Sequence, residues 1–155
     1  MREPRSSRDP HFWDSLARLV CHPPIFAFLL MFHGFVSCVM LLHDYRLYWA
    51  VLLLGLITPC DYLIRIRGYV RETRAGSHLV AGSYLRPVQN RWFFQILKIM
   101  LLTAGFMVFS IRLYLDGVFP RSIMVATSYA FNSGFMPLGY LLILDRCYQR
   151  YREGG

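Results

Sequence analysis

The sequence predicts an all-α protein: a four-helix transmembrane bundle made of two hairpins, preceded by a short amphipathic helix at the membrane interface. Three observations carry this. Four apolar runs occupy residues 25–43, 47–66, 92–115 and 122–144, each long enough to cross a hydrocarbon core of about 30 Å at about 1.5 Å per residue. Very short polar turns join the first run to the second and the third to the fourth. Between the pairs lies a basic stretch, with Arg65, Arg67, Arg71, Arg74, Arg86 and Arg91 facing a single acid, Glu72. The 155 residues leave room for one domain, and a chain that is 55% hydrophobic and 17% charged departs from the balance of a soluble globule.

Residues 1–24 are too polar to span. Asp9-Pro10 is a good helix start, an acidic cap with proline in the first turn. Phe12, Leu16 and Leu19 then recur at helical spacing, flanked by Trp13 and Val20, with Asp14, Ser15 and Arg18 opposite. Such a helix lies in the headgroup region. His22-Pro23-Pro24 breaks the chain before the first run, and His43-Asp44-Tyr45-Arg46 turns it into the second. Tyr48-Trp49 supplies interfacial aromatics, and Pro59 predicts a kink. Residues 67–91 read as a basic cytoplasmic loop. The third run turns at Asp116-Gly117-Val118-Phe119-Pro120-Arg121, the fourth is kinked near Pro137, and residues 145–155 form a polar tail.

The net charge of +8 could suggest nucleic acid. The arginines, however, bracket the apolar runs and form no single aromatic-studded surface, so membrane orientation accounts for them and nucleic acid is not expected. Every arginine except Arg46, Arg112 and Arg121 falls in the N-terminal segment, the central stretch or the tail. The positive-inside bias therefore places both termini and residues 67–91 in the cytoplasm.

Polar groups within the runs are costly and ask for a reason. Asp61 and Lys98 fall at similar depths near the cytoplasmic side, where a salt bridge could tie the two hairpins. The competing reading pairs Asp61 with Arg65 at i,i+4 and lets Lys98 snorkel alone. His33 and Asn132 fall near the middle of the first and fourth runs, where an imidazole–amide hydrogen bond would satisfy both. Haem or metal ligation by His33 lacks company: His43 is ten residues away, and no carboxylate or second histidine sits at ligand spacing. Ser122, Ala126, Ala130 and Gly134 recur every four residues and give the fourth run a small-residue face. Its occupant is either the chain's own first helix, which offers Gly34 and Cys38, or another protein, with internal packing the default.

Cys21, Cys38, Cys60 and Cys147 show neither C-x-x-C spacing nor a pairing with nearby histidines that suggests zinc, and no disulfide framework is expected. No P-loop, H-E-x-x-H, G-x-S-x-G or dinucleotide fingerprint occurs. Ser77-His78 has no evident third member of a triad, and Asp61, His78 and Asp145 come together as a catalytic set only by assertion.

Tyr48-Trp49, Asp61 twelve residues beyond the tryptophan, and Arg67-Gly68-Tyr69 come in an order that resembles the transmembrane protein 26 family. His33 and Asp116-Gly117-Val118-Phe119 add to the likeness. The motifs are short and cover a minority of the chain. The resemblance implies a multi-pass membrane protein and assigns no residue a role.

The expected function is non-enzymatic: an accessory subunit or scaffold of a larger membrane complex, without cofactor or metal, whose partners are the bilayer and other membrane subunits. The six central arginines would meet lipid headgroups or a partner. A small transporter using His33, Asp61, Lys98 and Asn132 as a polar track is the alternative. An interfacial lipid-modifying enzyme around His78 and Asp61 is the third.

Overall fold

The computed structural model describes residues 10–43 and 51–153. The expected cap at Asp9, Arg2, Arg5 and Arg8, the turn residues Asp44-Tyr45-Arg46 and the pair Tyr48-Trp49 lie outside them. Among the described residues the chain is helical throughout, without strands. Helix α1 is Pro10–Val20, and α2 is Pro23–His43. A π-helical segment, Val51–Ile57, runs directly into α3, Thr58–Arg74. Two short helices follow, α4 (His78–Ser83) and α5 (Arg86–Gln89), then the long α6 (Arg91–Asp116). Last come α7 (Pro120–Ala130), a second π-helical segment (Phe131–Phe135) and α8 (Met136–Glu153), with no break between them. Two helices, Pro23–Leu42 and Arg91–Asp116, are long and apolar enough to cross a membrane.

The elements pair as the short turns imply. The first π segment lies along α2, and α7 lies along α6. The pairs join where α3 packs on α8 and the two π segments face each other. The core at that seam is Leu63 and Ile66 of α3 against Leu141 and Leu144 of α8, all fully buried. Each π segment sits just ahead of a proline. Pro59 and Pro137 have no N–H to give the carbonyl four residues earlier, so the helical ladder is interrupted there and the backbone widens. At the first, the Thr58 hydroxyl donates to the Leu53 carbonyl at 2.6 Å.

The small-residue face is internal. Ala126 and Ala130 are buried, and a Cβ on Gly134 would come within 2.5 Å of the Gly105 backbone on α6. The face packs internally, the default reading, but against α6 and not against Gly34 and Cys38 of α2. Gly34 has open space around its missing side chain, and Cys38 is exposed. The third run owns the face because it carries its own glycine, Gly105, at matching height.

The stretch 67–91 is also corrected: it is a packed helical cap. Helix α3 extends to Arg74, and Ala81, Leu85 and Val88 from α4 and α5 are buried in the main core. Close approaches fix the cap, since Gly68 lies under the Tyr84 ring and Gly82 under Tyr151. The tail is helical to Glu153. Helix α1 docks on α3 and α8 by burying Ala17 and Val20, with Asp14 paired to Arg150 and the Arg146 guanidinium 5.8 Å from the Trp13 ring.

Two outcomes follow from this packing. Gly134→Val forces α6 and the second π segment apart and should lower stability by about 1–3 kcal/mol or more, read as a fall in denaturant midpoint in detergent. Burial pushes the Cys147 thiol from 9.0 up to about 12 and the Cys21 thiol up to about 11, the latter against an opposing pull from Arg74 and Arg67. The folded state thus keeps protons that the unfolded chain releases above pH 9.0, so this stability is full below that pH and declines as pH rises toward 12. Thermal melting between pH 8 and 11 should show the decline, and Cys147→Ala should flatten it.

Candidate functional site

The polar groups of the helix pairs converge on one node at the seam. Asn132 in the second π segment and His33 on α2 are both 0% exposed. His33 Nδ1 lies 2.6 Å from Asn132 Oδ1, the contact that shared depth implies. The Asn132 amide nitrogen donates in two directions, to the Ser37 hydroxyl at 3.2 Å and to the Gly55 carbonyl at 3.1 Å. The Gly55 carbonyl is the one that Pro59 leaves without its helical donor. A carbonyl only accepts, so the amide nitrogen must face Gly55 and the amide oxygen must face His33. His33 therefore donates through Nδ1–H. In the neutral tautomer with the proton on Nδ1, Nε2 accepts from the Tyr140 hydroxyl at 3.1 Å, and both ring nitrogens are used.

Gly55 makes the geometry available. A Cβ there would meet the Asn132 amide nitrogen at 2.9 Å and the Ser37 hydroxyl at 3.2 Å. Ser133 adds a weaker contact to the Met40 sulfur at 3.9 Å. Four helical segments thus share one hydrogen-bonded cluster, with the His33 and Tyr140 rings edge to face at 5.7 Å. Ser37, Gly55 and Tyr140 were not singled out from sequence. The spacing of Gly55 to Pro59 is the signal that could have found the carbonyl, since it marks an acceptor without a donor.

Asp61 and Lys98 do not join this cluster, and they do not join each other. Asp61 accepts from Arg65 Nε at 2.6 Å, the i,i+4 pair, while Lys98 Nζ lies 5.0 Å over the Phe94 ring. Their depths agree, but the helical phase differs. Phe93 and Leu97 are the α6 side chains that border the groove holding Asp61, and the stem of Lys98 runs back over Phe94, which is buried in the core. The four residues expected to form a track are therefore one bonded pair and two separate side chains.

The central arginines are spent in several ways. Arg71 donates to Glu72, Arg67 stacks 4.4 Å over Phe26, and Arg91 lies 3.6 Å from Asp145. Arg86 borders the Asp61 groove, and Arg74 is exposed. His78 is exposed at the start of α4, and Asp145 accepts from Gln149 at 2.9 Å. Asp61, His78 and Asp145 thus have separate surroundings. At the cap, Gln89, Arg91, Arg146, Gln149, Arg152 and Glu153 border an open cavity of about 820 Å³.

No protein family, curated protein or solved structure matches the chain.

The node predicts strong coupling. His33→Leu and Asn132→Leu should each destabilise the protein, and the double variant should cost less than their sum by about 0.6–2 kcal/mol, the scale of interhelical hydrogen bonds in membranes. Denaturation in detergent of the two single variants and the double variant measures it. Additive losses would show that the bond holds nothing together.

Proposed function

We propose that the chain is a four-span membrane protein with both termini and the cap in the cytoplasm, acting without catalysis as an accessory subunit or scaffold of a larger membrane complex. Continuous helix supports the spans that α3 and α7 do not provide alone. Val51 to Arg74 and Pro120 to Glu153 are unbroken helical stretches, about 36 Å and about 51 Å long at about 1.5 Å per residue. The outward faces of α2 and α6 support a lipid setting: Phe28, Met31 and Phe35, and Ile99, Phe106 and Met107, are exposed. Polar groups turn inward to bond one another while apolar groups turn outward, the arrangement a bilayer requires. The arginine distribution supports the orientation, and the likeness to the transmembrane protein 26 family agrees with a multi-pass protein.

The observation that carries the assembly role is the folded cap. A chain whose cytoplasmic parts were a loose loop and tail would offer little to bind. Here α1, α4, α5 and the end of α8 form a packed surface with Arg146 and Arg152 beside the open cavity. With the small-residue face used internally, this basic surface is the partner side of the reading, and an acidic partner segment is the complement.

A second reading has one observation in its favour. Two π-helical segments meet at the His33–Asn132 node, and such segments recur at functional sites. A transport role would centre on that node. Flux in proteoliposomes that disappears in both His33→Leu and Asn132→Leu would favour it, and flux surviving both would remove it.

Gentle extraction from the native membrane should give a particle larger than the chain alone, containing a stoichiometric second protein. Arg146→Glu with Arg152→Glu should weaken recovery of that partner by about tenfold or more, the scale of a lost charge-complementary contact, while membrane insertion is kept. A lone monomer, or a particle indifferent to both arginines, would count against the assembly role.

A further inference from the structure

At the end of the bundle away from the cap, α2, α6 and α7 enclose a pocket of about 580 Å³ that the hydrogen-bonded node does not use. Its size falls within the range of small-ligand sites, about 300–1,000 Å³. The wall toward α2 is apolar, made by Phe32, Phe35 and Val39. The other end is charged, with Arg112, Asp116 and Arg121. Arg112 Nε lies 2.7 Å from Asp116, so the pair is largely self-neutralised and Arg121 leaves the lining groups net positive by one.

A second observation points to a ligand. Tyr129 lines this pocket, is 6% exposed, and its buried hydroxyl has no hydrogen-bond partner among the described residues. A buried hydroxyl left without a partner carries its desolvation cost, so a site that retains it gains when an acceptor arrives. Neither serine of the pocket is bonded to that hydroxyl. Ser128 donates to the Met124 carbonyl at 3.0 Å and Ser122 to the Asp116 carbonyl at 3.4 Å. The Arg112 guanidinium lies 5.6 Å from the Tyr129 ring, so cation and hydroxyl share one side of the pocket.

We propose that this pocket binds an anionic amphiphile: one acidic headgroup, phosphate or carboxylate, held by Arg121, the free N–H groups of Arg112 and the Tyr129 hydroxyl, with its acyl chain along Phe32, Phe35 and Val39. The charge balance admits a singly negative headgroup, and Asp116 opposes a highly charged one. In the proposed orientation the headgroup sits at the far leaflet, because Arg112 follows Arg91 along α6 by about 31 Å at about 1.5 Å per residue. The proposal rests on the membrane reading of the preceding section.

The test reconstitutes the full chain in phosphatidylcholine nanodiscs. One arm is doped with phosphatidylglycerol and the other with oleate, and the lipid co-purifying after exchange against excess phosphatidylcholine is weighed by native mass spectrometry. One acidic amphiphile retained per chain is expected, and the arm in which it appears identifies its source as a membrane phospholipid or a free fatty acid. Tyr129→Phe, which keeps the shape and removes only the hydroxyl, should lower retention by about tenfold, as should Arg121→Gln. Arg18→Gln, exposed on α1 at the opposite end, should leave it unchanged. Chain that fails to enter nanodiscs at all overturns the membrane reading and the proposal with it. Chain that enters but retains no acidic amphiphile in either arm, or retains it equally in Tyr129→Phe and Arg121→Gln, overturns the pocket alone.

Discussion

The side-chain amide of Asn132 holds the architecture at its centre. It accepts from His33 and donates to Ser37 and to the Gly55 carbonyl, so α2, the segment ahead of α3 and the segment ahead of α8 are fixed by one group. In an apolar surround there is little water to take over any of these bonds, and each group left alone would carry its full desolvation cost. The cluster therefore specifies register as well as adding stability. Sliding either helix by one residue would unpair several groups together.

Proline makes the cluster necessary, and glycine makes it feasible. Pro59 withholds the donor that the Gly55 carbonyl would have in an unbroken helix, and Asn132 takes its place. Gly55 has no side chain to block that approach, and Gly134 and Gly105 repeat the same close contact between α6 and the second π segment. Two wide turns in the backbone thus become places where helices come close. A stretch that costs helical hydrogen bonds locally is recovered through tertiary ones.

The cap shows a different physics. It is held by aromatic rings over glycines, by cation–π contacts and by the Asp14–Arg150 pair, around a core of Ala81, Leu85 and Val88. Ordered in this way, basic residues near the end of α8 present a defined surface. The two ends of the bundle are chemically distinct: an open, arginine-bordered cavity at the cap and a narrower, apolar-walled pocket with a buried hydroxyl at the other.

The sequence by itself determined what depends on composition and local spacing. Apolar runs of spanning length, short turns and the placement of arginine predict an all-helical chain and locate its helices. Depth counted along those runs set His33 opposite Asn132, and the i,i+4 spacing offered Asp61 to Arg65. Helical phase was beyond that counting. Equal depth says nothing of which way a side chain points, so Asp61 and Lys98 agreed in height and not in direction. The small-residue face was legible as a face, but its occupant depended on Gly105, and only the packed helices bring Gly105 to Gly134. The stretch 67–91 reads as a loop because arginine and glycine dominate it. It folds because Ala81, Leu85 and Val88, too sparse to form a periodic pattern, find a ready core on α3 and α8. Local pattern is written along the chain. Which face meets which is decided only when the helices pack, since it depends on the shapes of residues far apart in sequence.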